Sequence, residues 1–106
     1  MSTPPETEVR SERNGSVLIL SLDGPKTRNS ISPPVYKALQ TEIINAGTDE
    51  SVRAIVLTGL HGFFCSGGNI ANLRKSAESS LADVSRNTDA LNSMILSIRH
   101  CPTPVI

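Results

Sequence analysis

Residues 1 to 7 are polar or proline after Met1, carry no apolar periodicity, and are expected to fray as a disordered lead. Patterned sequence starts with "TEVRSER" and "SVLILSLD" on either side of Asn14-Gly15. Asn-Gly supplies positive φ at both central positions of a type I′ turn, so a β-hairpin is predicted, with its apolar second strand deeply buried. After the turn-rich "GPKTRNSIS", Ser32 followed by Pro33 reads as an N-cap with proline in the first helical turn, where a missing N–H costs nothing. Val35, Leu39, Ile43 and Ala46 recur at helical spacing and predict an amphipathic helix to about Gly47, with Lys37, Gln40 and Glu42 largely outward. "VRAIVLTG" is β-branched and almost wholly apolar, which predicts a strand covered on both faces. The order strand, helix, strand favours a right-handed crossover that makes "SVLILSL" and "RAIVLT" parallel neighbours. Leu81, Val84, Leu91, Met94, Ile95 and Ile98 mark the packing face of a long helix from about Ser79 to Arg99. In "CPTPVI" two prolines end that helix, and Val105-Ile106 begin what reads as another buried strand. A strand that stops after two residues suggests the front part of a longer protein.

Composition narrows the function classes. A chain of 106 residues has room for one modest core. Ten Lys and Arg balance ten Asp and Glu, so no basic face points to nucleic acid or an anionic membrane. A small substrate fits better. No apolar run approaches a membrane span and "MSTPPETEVR" lacks the apolar stretch of a signal peptide, so a cytoplasmic protein is expected. Cys65 and Cys101 are then more naturally thiols than a disulfide, and no Cys/His cluster has zinc spacing, so no metal is expected.

The chemistry-bearing stretch is "HGFFCSGGNIANL", His61 to Leu73, just past the end of a predicted parallel strand, where open α/β sheets bind ligands. Cys65 as a nucleophile would need a base, and neither His61 nor His100 is placed beside it by its sequence context; a small side chain packed under the loop is the plainer reading. His100-Cys101 fails as a dyad because neighbouring helical residues face different ways. A P-loop pattern is absent. Gly67-Gly68 offers peptide N–H groups free of Cβ obstruction at a strand-to-helix transition, as an oxyanion hole requires, although an ordinary tight turn would use the same residues.

"GPKTRNSIS", a helix, "VRAIVLTG", "FFCSGGNI" and "CPTPVI", in this order, resemble the amino-terminal part of the crotonase (enoyl-CoA hydratase/isomerase) superfamily over nearly all of residues 8 to 106. Arg28-Asn29-Ser30 and Phe64-Cys65-Ser66-Gly67-Gly68 are the most specific parts, and "FFCSGGN" is similar to members known as alternative oxepin-CoA hydrolases. The resemblance implies the first half of an α/β, crotonase-type ββα superhelix (the ClpP/crotonase-like fold), and an enzyme acting on acyl-CoA. Two backbone N–H groups would polarise the thioester carbonyl and stabilise an enolate, and Gly68 matches the first of these donors. Ser66, Gly67, Asn69, Ile70 and Ala71 match the segment lining the CoA pocket. Lys26 matches a position near the CoA phosphates, with Arg28 assisting, although a solvated turn lysine is equally ordinary. CoA enters as part of the substrate, with no separate cofactor, and family members assemble as homotrimers or homohexamers.

Asn69 stands where the family commonly has Asp. The family's second oxyanion donor and its acid/base carboxylates come after the strand that "CPTPVI" begins. Asp23, Asp49, Glu50, Glu78, Asp83 and Asp89 occupy a turn, element edges or outward helical positions, and none is nominated as a general base. The resemblance therefore implies hydration or double-bond isomerisation of an enoyl-CoA, a lyase or isomerase of fatty acid metabolism. The alternative is a non-catalytic relative that binds CoA esters or a protein partner. A small self-sufficient interaction domain is disfavoured by the open apolar strand at the end.

Overall fold

The computed structural model describes residues 7–68, 78 and 80–106. Strand β1 (Glu8–Asn14) pairs antiparallel with β2 (Val17–Asp23), from Glu8↔Asp23 to Asn14↔Val17. The hairpin is as expected, but its turn is one residue later: Gly15 and Ser16 lie between the paired strands, and of Asn14, Gly15 and Ser16 only Gly15 has positive φ, at 61°. That is the pattern of a type II′ turn, in which glycine at the first central position carries the whole conformational demand and Asn14 stays extended. Thr7, assigned to the polar lead by its sequence, is buried, and its hydroxyl donates to the Ser30 carbonyl at 2.5 Å.

Strand β3 (Ala54–Gly59) pairs parallel with β2, from Val17↔Ala54 to Leu22↔Gly59, and the chain crosses between them through α1 (Pro33–Gly47). Period-2 alternation puts Leu18, Leu20 and Leu22 on one face of the sheet with Ile55, against Val35, Tyr36, Leu39, Ile43 and Ala46 of α1. Each leucine so buried stabilises the fold by about 2 kcal/mol. The other face carries half-buried Ile19, Val56 and Thr58 beside buried Ser21, and within β3 only Ile55 is fully buried, so the strand is less covered than its apolar sequence predicted. No described helix lies over that second face.

Helix α2 (Leu81–Arg99) packs on α1 through Met94, with Ala90, Leu91 and Ile98 partly buried beside it. The face expected from the sequence is broader than the one used. Leu81 is 85% exposed and Ile95 also stands out, because the first turn of α2 lies off the core and Ile95 sits about 100° around the helix from Met94. Val105 forms a parallel bridge with Ile55, and Leu57 donates to the Ile106 carbonyl at 2.8 Å, so "CPTPVI" does begin a fourth neighbour in the sheet, beside β3.

The caps of the two helices differ. Ser80 accepts from the Asp83 N–H at 3.2 Å, an ordinary N-cap. Ser32 occupies the N-cap position of α1 but makes no capping bond, and its hydroxyl is buried without a partner. With Pro33 and Pro34 next in the chain, the Val35 N–H is the first donor within reach of that side chain.

Candidate functional site

Because Leu22 and Gly59 are paired, the chain leaves β2 and β3 side by side, and the segments 24–32 and 60–68 emerge at the carboxyl ends of the strands next to one another. The first is wound tightly: the N–H groups of Thr27 and Asn29 both donate to the Gly24 carbonyl, at 3.1 and 2.9 Å. Arg28 and Asn29 adopt left-handed φ of 53° and 57°, a conformation Asn tolerates better than most residues. The Asn29 side chain is wholly buried. Its Oδ1 accepts from the Gly24 N–H at 2.8 Å, while its Nδ2 donates to the carbonyls of Leu60 at 2.8 Å and Phe63 at 3.1 Å. One amide thus ties the two segments together from inside.

The second segment folds back over its own strand. Leu60 N–H donates to the Leu22 carbonyl at 2.9 Å, and His61 and Gly62 follow with φ of 65° and 79°. A Cβ on Gly59 would overlap the Phe63 carbonyl oxygen and come within 2.5 Å of that of Phe64, so this close approach needs glycine. His61 Nε2 lies 2.6 Å from Asp23 Oδ1, and Arg10 Nε donates to Asp23 Oδ2 at 2.7 Å. The His61 bond first, and the Arg10 bond second, hold the Asp23 carboxyl below the usual carboxylate range.

From Ser66 onward the two segments zip together. Ser66 N–H donates to the Arg28 carbonyl at 3.1 Å and its hydroxyl to the Thr27 carbonyl at 3.2 Å. Ile31 N–H donates to the Gly67 carbonyl at 2.8 Å, within a parallel bridge between Ile31 and Gly68. In a trans peptide the C=O and N–H point opposite ways, so with the Gly67 carbonyl turned to Ile31, the Gly68 N–H points away from it.

Of the residues singled out from sequence, Arg28, Ser66, Gly67 and Gly68 are brought together in this way, and Lys26 lies exposed on the same turn. Arg28 holds its guanidinium carbon 5.7 Å from the centre of the exposed Phe63 ring. Asn69, Ile70 and Ala71 lie outside the described residues, as does most of the stretch expected to turn into a helix after them. Cys65 is half-buried against the core, and its sulfur accepts from the Gly67 N–H at 3.3 Å, a role within the turn itself. Burial, followed by the neighbouring Cys65, raises the pKa of the Tyr36 phenol.

Sequence reading assigned no role to Asn29 or to the Asp23–His61 pair. A short polar run between a buried strand and a helix, containing an Asn, which tolerates left-handed backbone, was the available signal for the first; nothing local pairs positions 38 residues apart.

Residues 12–106 match the family described as Enoyl-CoA hydratase/isomerase. Human mitochondrial methylglutaconyl-CoA hydratase is 28% identical over 109 residues, covering 100% of this chain and 31% of its own. The 2,3-dehydroadipyl-CoA hydratase of Escherichia coli is 34% identical over 82 residues, 77% of this chain and 31% of its own. An enoyl-CoA hydratase from Polaromonas sp. JS666 superposes with a TM-score of 0.87 at 32% identity, covering 92% of this chain and 38% of the other. The chain therefore spans about a third of the length of these relatives. A crotonase-type α/β fold, a family match over most of the chain and relatives named as CoA hydratases agree: the chain belongs to the enoyl-CoA hydratase/isomerase family.

Proposed function

We propose that this chain contributes the thioester-facing loop of an enzyme that stabilises an acyl-CoA enolate, hydrating a 2-enoyl-CoA or shifting its double bond. The observation that carries the reading is the peptide between Gly67 and Gly68: its carbonyl is fixed to Ile31, which turns the Gly68 N–H away from the zipped segments, at the carboxyl end of a parallel strand. A donor fixed in advance costs no reorganisation when charge develops on the thioester oxygen, and each such donor is worth about 3 kcal/mol of barrier. Exposed Lys26 and Arg28 would supply cations for the CoA phosphates, with Ser66 and Gly67 beside them; Asn69, Ile70 and Ala71 are assigned to the CoA lining by the family resemblance alone. A second donor and the acid/base carboxylates must come from other residues of the enzyme. No described helix is long and apolar enough to cross a membrane. The reading includes a cytoplasmic enzyme assembled as a trimer or hexamer, with CoA entering as part of the substrate.

The test is Gly68→Pro, which removes the N–H, beside Gly68→Ala, which keeps it, both in the full polypeptide. Turnover is followed by loss of the conjugated enoyl-thioester absorbance over a panel of short, long and aromatic enoyl-CoA substrates. Gly68→Pro should lower kcat at least about a hundredfold and Gly68→Ala should leave most activity. Equal activity in the two variants would sink the assignment of Gly68.

A further inference from the structure

The loop from Gly59 to Cys65 leads straight into Gly68, yet it makes a sharp left-handed turn at His61, a residue with a full side chain. Such backbone is uncommon for any residue with a side chain, although histidine tolerates it better than most, and it is kept where the surroundings hold it. Here the holding group is visible: His61 Nε2 is 2.6 Å from Asp23 Oδ1, and the second carboxylate oxygen is taken by Arg10 Nε at 2.7 Å. Arg10 in turn reaches Glu8 at 3.0 Å, so the Asp23 carboxylate is tied to β1 as well as to the loop. The imidazole therefore fastens the tip of the loop to the end of β2. Two residues further, Phe63 bears the Arg28 guanidinium on its ring, and then the backbone is zipped through Ser66 and Gly67 to 28–31.

We propose that the His61–Asp23 pair is a clasp that sets the position of the loop carrying Gly68, which makes His61 a positioning residue for the enolate chemistry proposed above. The inference rests on that reading for its catalytic consequence, while its structural consequence stands without it. A donor displaced by a fraction of an ångström stabilises the transition state poorly while the substrate still binds, so the loss falls on kcat more than on KM.

The experiment uses the full polypeptide with three substitutions. His61→Gly removes the imidazole and also the left-handed penalty, so thermal stability should stay close to that of the parent. Its kcat on the best enoyl-CoA of the panel should fall about tenfold with KM within about twofold. Exchange of the Ser66 amide, which bonds to the Arg28 carbonyl, should quicken about tenfold. His61→Gln places an amide donor where Nε2 was and should restore both; His61→Ala should lose stability as well as rate. A His61→Gly enzyme with parental kcat and parental exchange overturns the clasp. So does a parallel loss of stability and kcat in His61→Gly that His61→Gln does not rescue, since that is a merely structural residue. If the parent turns over none of the enoyl-CoA panel, the proposed function has failed, and the exchange of Ser66 still decides the clasp.

Discussion

The loop before Gly68 is held at two points that differ in nearly every physical respect. Asn29 grips it from inside: neutral, wholly buried, with three hydrogen bonds to main-chain atoms of Gly24, Leu60 and Phe63. His61 grips it from outside, through a charge-assisted bond to a carboxylate that also serves Arg10, in partial contact with water. The inner grip cannot be released without leaving buried polar groups unpaired, which is costly in a low-dielectric interior. The outer grip competes with solvent and ions at every moment, so its contribution is small and depends on conditions. The comparison teaches a division of labour: the buried amide decides that the two segments fold together at all, and the exposed pair adjusts where the loop tip lies.

The largest effect that would test this division comes from Asn29→Ala. It takes their Asn29 partner from the Gly24 N–H and the Phe63 carbonyl and leaves the Leu60 carbonyl only its longer bond from the Phe63 N–H, and should cost about 3 kcal/mol, read from the denaturant midpoint of the full polypeptide. Asn29→Asp should do no better, because a carboxylate placed against two carbonyls has no proton to donate; recovery of stability in that variant would mean the two donor bonds matter little. Gly59→Ala comes next. It removes neither gripping side chain but puts a methyl group into the Phe63 carbonyl, an acceptor of the inner grip, and should cost about 2 kcal/mol while forcing the loop off its seat. If Gly59→Ala keeps full kcat on an enoyl-CoA substrate, the position of this loop is not what matters for rate.

Much of the frame was legible because it depends on local pattern. Val35, Leu39, Ile43 and Ala46 gave the buried face of α1 by spacing alone, and the parallel pairing of β2 and β3 followed from element order. Where reading failed, the missing information was not local. The turn at Gly15 slipped by one residue because the strand pairing beyond it, not the Asn-Gly dipeptide, sets which residues are left over. Ile95 and Leu81 looked like packing residues because periodicity marks a face without saying how much of it finds a partner. The loop of the candidate site was recognisable from Phe64 to Gly68, yet its inner grip joins position 29 to 60 and 63, and its outer grip joins 23 to 61. Those contacts exist only once β2 and β3 are neighbours. Asp23 read as a turn carboxylate for that reason.

The smallest expected effects belong to the outer grip, and their dependence on conditions is what separates it from the inner one. Asp23→Asn should lower thermal stability less than either substitution above, and salt should shrink the difference, because exposed charges are screened over about 10 Å at 0.1 M ionic strength. Acid gives the sharper distinction. The folded-state carboxyl of Asp23 is held below its ordinary value, by His61 first and Arg10 second. A depressed folded value means that, between it and the ordinary carboxylate value, the unfolded chain binds more protons than the folded one, so stability rises with pH across that window. The contribution is complete above the ordinary value and is lost as pH falls through the folded one. Asp23→Asn should therefore flatten part of the acid limb of the stability curve and leave the neutral region nearly parallel to the parent. Asn29→Ala, which removes no titrating group, should lower the whole curve without changing that slope. Identical acid limbs in the parent and Asp23→Asn would show that the outer grip carries no charge-dependent hold on the loop, and the two grips would then differ only in burial.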